Sequence, residues 1–161
     1  MEQLDLLPDA PLTPTLQSVG LVIPVMTLWQ PWACLVEMGH KPYETRGKPP
    51  PKRLMGMRVA IHAAKRKPRA ADVTDEEYEA ISDCFGFCNY PEMLPRGVVV
   101  CTAIISDVKP VEEVPHDLFG DYRPGRWAWK LDDVRPIEPH VPAKGMQTWG
   151  WPWSVPSSVT I

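Results

Sequence analysis

The chain of 161 residues is poor in cysteine, in long apolar runs and in the short motifs that mark the common enzyme classes. Its four cysteines, Cys34, Cys84, Cys88 and Cys101, show no secreted-framework spacing, and the start Met-Glu-Gln-Leu-Asp is acidic and unlike a signal peptide, so free thiols and a cytoplasmic location are expected. Cys84 and Cys88 have no second pair at matching zinc spacing, so no metal is expected, and nothing implies another cofactor. The longest near-apolar run, Val98 to Ile105, is too short to cross a bilayer, and no membrane partner is expected. There is no phosphate-cradling glycine loop, no nucleophile elbow and no histidine-rich metal motif. What the chain does have is 44% apolar residues, 20 prolines and seven tryptophans. That composition suits one compact domain of short elements better than long helices.

The net charge of −3 hides an uneven distribution. Between His40 and Ala70 stand ten basic residues and a single acid, Glu44, so this stretch carries +9 and the remainder −12. A local basic face attracts phosphate whatever the global sign, so a polyanionic partner is one reading and a solvated basic surface the other.

Residues 1–20, with Pro8, Pro11 and Pro14 and no apolar period, read as a flexible arm. Residues 21–155 read as the domain and 156–161 as a C-terminal tail. Val22 to Leu28 predicts a strand. Pro31 then suits a helix start, Trp32, Leu35 and Val36 share one face, and Gly39 suits a left-handed C-terminal cap. An extended stretch to Arg46, a proline-rich loop to Gly56 and a half-buried strand over Met57 to Ala63 follow, with Val59 and Ile61 alternating against Arg58, Ala60 and His62. Thr74 to Glu77 forms a capping box opening a helix that ends near Cys84. Gly97 to Ser106 predicts a central strand. Arg126 to Leu131 alternates with Trp127, Trp129 and Leu131 inward, and Asp132-Asp133 suits a hairpin turn. Trp149, Trp151 and Trp153 are expected to seal the core. Five or six short strands with two or three helices, and no regular strand–helix alternation, predict a small α+β, barrel-like domain.

Several residues point to chemistry. Lys41, Glu44 and Arg46 place two donors and one acceptor within six positions at a helix-to-strand junction, a mixture that fits a base edge or a phosphate. A structural Glu44–Arg46 pair on one strand face is the alternative, and alternation does not say whether Lys41 joins it. Trp29, with Gln30 beside it, is the best placed indole for stacking on a base. His62 and Lys65 lead from a strand into the segment Lys65, Arg66, Lys67 and Arg69, which reads as a phosphate-tracking patch or as an exposed solubilising turn. His62 lines the same cleft or is a structural histidine. Gln147 reaches the cleft or fixes the closing loop.

Gly39, Lys41, Glu44 and Arg46, preceded by Leu28-Trp29-Gln30-Pro31-Trp32-Ala33, resemble the signature of the ASCH domain family, glycine-x-lysine-x-x-glutamate-x-arginine. Ile61 to Lys65, Pro124 to Trp129, and Lys144-Gly145 with Gln147 and Trp149 resemble the later landmarks of that family in order, so the resemblance spans roughly residues 22–153. It implies a PUA-like β-barrel with flanking helices and a cleft beside the first helix. It also implies binding of RNA or of a modified nucleobase or nucleotide as the expected function. Some members of the family are hydrolases, and here Lys41 as base or nucleophile and Glu44 as proton shuttle would carry such a reaction. The family's N(4)-acetylcytidine amidohydrolases carry a threonine where this chain has Glu44, which counts against that particular activity, and no histidine pair is present to run ribonuclease chemistry. A third reading is an adaptor whose basic face meets an acidic protein.

Overall fold

A computed structural model describes residues 20–86, 90–145 and 150–161. Its centre is a six-stranded sheet in the order β2-β5-β4-β3-β1-β6, built from β1 (Val22–Leu28), β2 (Tyr43–Arg46), β3 (Arg58–Ala63), β4 (Val98–Pro110), β5 (Trp127–Pro142) and β6 (Trp151–Ser154). β1 and β3 run parallel, and every other pairing is antiparallel. Three helices accompany it, α1 (Trp32–Glu37), α2 (Asp75–Phe85) and α3 (Tyr90–Met93). The α+β class and the numbers of strands and helices agree with the sequence reading. Among the described residues the sheet does not close into the expected barrel: β2 and β6, four residues each, are the two edges and do not pair with one another. The β2 edge is occupied instead by the loop before β5, where the Arg126 guanidinium donates to the Thr45 carbonyl at 3.2 Å and the Asp121 N–H donates to the Thr45 hydroxyl at 2.9 Å.

Two differences in the strands have clear causes. β3 is buried on both faces rather than one. Met26, Leu28, Val59 and Ile61 face a cluster shared with α1, and Ile23, Val25 and Ala60 face a second cluster closed by Trp151 and Trp153. Residues 155–161 extend this second cluster, with Val155, Val159 and Ile161 packed against it.

The Asp132-Asp133 pair is not a hairpin turn, because β5 runs straight through it. Thr102 stands opposite Arg135 and Ile104 opposite Asp132, so β5 carries one extra residue there, and Asp133 takes φ +47°. That is a bulge. Arg58 of β3 holds it, donating to the Asp133 carbonyl and to the Thr102 hydroxyl, each at 3.0 Å, and pairing with the Asp133 carboxylate. The 13-residue β4 has a ladder to fill, so the chain bends at these acids and continues pairing.

The short helix α1 forms as its pattern predicts. The Cys34 N–H donates to the Gln30 side-chain carbonyl at 3.2 Å, supplying the N-terminal partner that the first turn lacks. Gly39 ends the helix at φ +81°, and the N–H groups of His40 and Lys41 both donate to the Leu35 carbonyl. This tight closure turns the chain back at once, so Lys41 enters the protein rather than solvent. α2 carries the predicted capping box, with reciprocal hydrogen bonds between Thr74 and Glu77, and closes on Gly86 at φ +73°.

Candidate functional site

Lys41, Glu44 and Arg46 are gathered in one place. Glu44 and Arg46 lie on one face of β2, with the carboxylate 2.7 Å from the Arg46 Nε. The Lys41 Nζ lies 3.8 Å from the other carboxylate oxygen, donates to the Phe119 carbonyl at 2.5 Å and sits 5.7 Å from the centre of the Trp32 ring. Arg46 also donates to the Thr27 carbonyl at 3.4 Å. The pairing of Glu44 with Arg46 and the participation of Lys41 are therefore both present. Lys41 is only 2% exposed and Glu44 8%. Burial pushes the Lys41 pKa below that of an ordinary lysine, and the nearby charges of Glu44 and Asp117 oppose that shift without cancelling it.

These groups form part of the wall of a cleft of about 990 Å³ between α1, β2 and the loop preceding β5. Its opposite side comes from His116, Asp117, Phe119, Asp121, Tyr122, Arg123 and Arg126, residues to which the sequence reading gave no site role. His116 stacks on Tyr122 with ring centres 4.4 Å apart, and burial raises the Tyr122 hydroxyl well above its ordinary pKa. Asp121 accepts from Arg123 at 2.6 Å and 2.8 Å, which holds its carboxyl near a pKa of about 2. The only sequence signal for this wall is the mixture of acids and arginines between Asp117 and Arg126, which an ordinary surface loop shares.

The cleft carries five carboxylates, Glu44, Asp72, Glu77, Asp117 and Asp121, against Lys41, Arg123 and Arg126. A hollow of about 260 Å³ continues from it over Thr27, Trp29, Glu44, Thr45, Arg46 and Arg126. Trp29, 53% exposed, lines both spaces, with the Arg66 guanidinium stacked 4.1 Å from its ring centre.

The other predicted residues are distributed differently. Gln30 is fully buried, and its amide donates to the Pro95 carbonyl at 2.7 Å and to the Cys34 sulfur at 3.0 Å, so it fastens α1 to the chain ahead of β4. His62 is also buried, with Nε2 3.2 Å from the Ala143 carbonyl and Nδ1 3.2 Å from the Thr27 hydroxyl. A carbonyl only accepts, so Nε2 carries the proton and Nδ1 of the neutral ring accepts from Thr27. Burial lowers the His62 pKa and favours that neutral form.

The basic segment is largely neutralised by acids distant from it in sequence order or local to its end. Arg66 makes two bonds to Asp72, at 2.6 Å and 2.7 Å, Arg69 lies 3.5 Å from the same carboxylate, and Lys67 pairs with Glu92 at 2.5 Å. Lys65 has no carboxylate partner among the described residues. Cys34, Cys84 and Cys101 are free thiols, whereas Cys88, Gln147 and Trp149 lie outside the described residues. Glu37, Glu138 and His140 bring ligand-type atoms within 4.8 Å of one another, an arrangement spent on the 2.6 Å contact between His140 and Glu37. No helix of the described residues is long and apolar enough to cross a membrane.

Over 83% of its length the chain is similar to the crystal structure of an ASCH protein from Zymomonas mobilis, with 16% identity, 87% of that chain covered and a TM-score of 0.46. It is likewise similar to a serine-to-alanine variant of the same protein (15% identity, 87% of that chain, TM-score 0.47) and to a tyrosine-to-phenylalanine variant (15%, 89%, 0.44). No family model and no curated protein matches the sequence. A likeness at this level transfers no residue roles, so the site rests on its own geometry.

Proposed function

We propose that this chain binds RNA, or a modified nucleobase or nucleotide, in the cleft beside α1. The observation that carries the reading is the convergence of buried Lys41 and Glu44 on a cleft rimmed by the half-exposed indole of Trp29. An indole face takes a base by stacking, and a carboxylate beside an ammonium offers an acceptor and a donor to a base edge. The excess of carboxylates favours the amine-bearing edge of a base over a phosphate as the group that enters. The resemblance of Gly39, Lys41, Glu44 and Arg46 to the ASCH signature supports the same class of ligand.

A second reading has its own observation. Burial lowers the Lys41 pKa, so its neutral amine is more accessible than that of a surface lysine and can take a proton from an attacking water. On this reading the chain hydrolyses a modified nucleoside, with Glu44, 3.8 Å from Lys41, as the proton shuttle.

One experiment separates the two. The protein is incubated with modified nucleosides and short RNAs, and bound ligand and mass change are scored together, with Lys41→Ala and Glu44→Ala as controls. Ligand retained unaltered by the wild type and lost from Glu44→Ala is the expected result. A mass change abolished by Lys41→Ala would place hydrolysis first, and neither retention nor mass change with any nucleoside or RNA would overturn both readings.

A further inference from the structure

Trp29 also borders a second cavity of about 480 Å³, lined with it by Thr27, His62, Ala64, Lys65, Lys144 and Gly145. Its charge is opposite in kind: two lysines and no acid among its lining residues. Arg66, Lys67 and Arg69 are paired with Asp72 or Glu92, whereas Lys65 and Lys144 have no carboxylate partner among the described residues. These two lysines thus meet at one cavity. We infer that this cavity is a phosphate subsite, taking the phosphate of a nucleotide whose base lies across Trp29 in the neighbouring cleft.

Local construction supports this assignment. A Cβ on Gly97 would stand 2.9 Å from the Lys65 Cγ and 3.1 Å from its Cε, so the aliphatic stem of Lys65 lies along the bare backbone of Gly97. That contact directs a flexible side chain and reduces the entropy lost when its ammonium binds. On the facing side a Cβ on Gly145 would stand 2.4 Å from the His62 Cε1, so the glycine lets the chain carrying Lys144 close onto the imidazole. The ring is fixed from below by Thr27 and Ala143 and packs edge-on to Trp151. The floor is therefore rigid and uncharged, and the two lysines supply the charge.

The two spaces share a wall. Thr27 and Trp29 line both this cavity and the hollow over Glu44 and Arg46, and Trp29 also lines the main cleft. A ligand lying over the indole reaches carboxylates at one end and lysines at the other, which sets its direction: base toward Glu44, phosphate toward Lys65 and Lys144. Phosphate at the other end would face carboxylates. The inference deepens the nucleotide reading given above and rests on it for the position of the base, but the phosphate site is tested independently.

The test is calorimetric titration of the full chain with the four common ribonucleosides, with their 5′- and 3′-monophosphates, and with inorganic phosphate alone. The proteins are the wild type, Lys65→Ala, Lys144→Ala, the double variant and Lys65→Arg. One of the monophosphate series is expected to bind at least about tenfold more tightly than its nucleoside, each alanine substitution to remove about tenfold of that gain while leaving nucleoside affinity unchanged, and Lys65→Arg to retain most of it. Nucleosides and monophosphates binding equally, or a double variant that keeps the difference, would overturn the subsite. If no nucleoside binds but inorganic phosphate does, and the double variant loses it, the base reading fails and the phosphate site stands. Absence of phosphate binding as well overturns the subsite.

Discussion

Lys41 is held in a position that its charge opposes. The desolvation of its ammonium is offset by the Phe119 carbonyl, the Glu44 carboxylate and the Trp32 ring, and the net effect is still a lowered pKa. The consequence for stability has a definite sign. With the folded pKa below the ordinary 10.5, the unfolded chain binds more protons in the window between the two, so stability rises with pH there. The penalty is fully present below the folded pKa and is gone above 10.5. Lys41→Met should lose this alkaline rise, which urea unfolding at a series of pH values up to 10.5 reads directly; an unchanged slope would show that another group carries it. The sequence identified Lys41, Glu44 and Arg46 by their spacing, because a turn closed on Gly39 and followed by a strand brings near neighbours together. It did not separate Gln30 from Trp29. Adjacent residues at a helix start have the same local signal, and which of them is buried depends on Pro95, 65 positions away.

At the scale of elements, α1 and α2 were readable to within a residue because their end signals are local. Gly39 and Thr74 each satisfy backbone groups of their own turn. A Cβ at Gly39 meets nothing within 4 Å, so the loss in Gly39→Ala comes from forcing φ +81° on an alanine: about 1 kcal/mol. Thr74→Ala should also lower stability by about 1 kcal/mol, through loss of the cap. Urea unfolding measures both losses, and ligand retention distinguishes them, because the Gly39 change also shifts the backbone carrying Lys41 and should weaken retention more than Thr74→Ala does. The Asp132-Asp133 pair was misread for the opposite reason. Two acids after an alternating run are a turn signal taken alone, but Arg58 from another strand pairs with Asp133, Lys130 pairs with Asp132, and β4 supplies carbonyls and N–H groups beyond them. The half-buried reading of β3 failed likewise, since the tryptophans covering its second face lie some 90 residues later.

For the whole molecule, charge placement decides what the surface attracts. The +9 segment suggested a broad basic face, yet Asp72 and Glu92 pair with Arg66, Arg69 and Lys67, while Lys65 stands at a cavity. Bonds from Arg66 hold the Asp72 carboxyl down to about 2 from its ordinary 3.8. A depressed carboxylate stabilises fully above 3.8 and loses its contribution as pH falls through about 2, so wild type and Asp72→Asn should differ in unfolding free energy near neutrality and converge in acid. The same substitution releases Arg66 from its carboxylate beside Trp29, and filter binding at fixed low salt should show tighter retention of short RNA. Weaker or unchanged retention would mean that the Trp29 rim does not meet the polyanion. The places of most strands along the chain, the helix ends and the signature cluster followed from the chain's own pattern, because periodicity, caps and near-neighbour spacing act over a few residues. Sheet closure, the carboxylate wall of the cleft and the pairing of the basic segment were settled by tertiary contacts alone. Which charge meets which, and which edge is covered, depends on residues far apart in sequence that only the folded chain brings within a few ångströms.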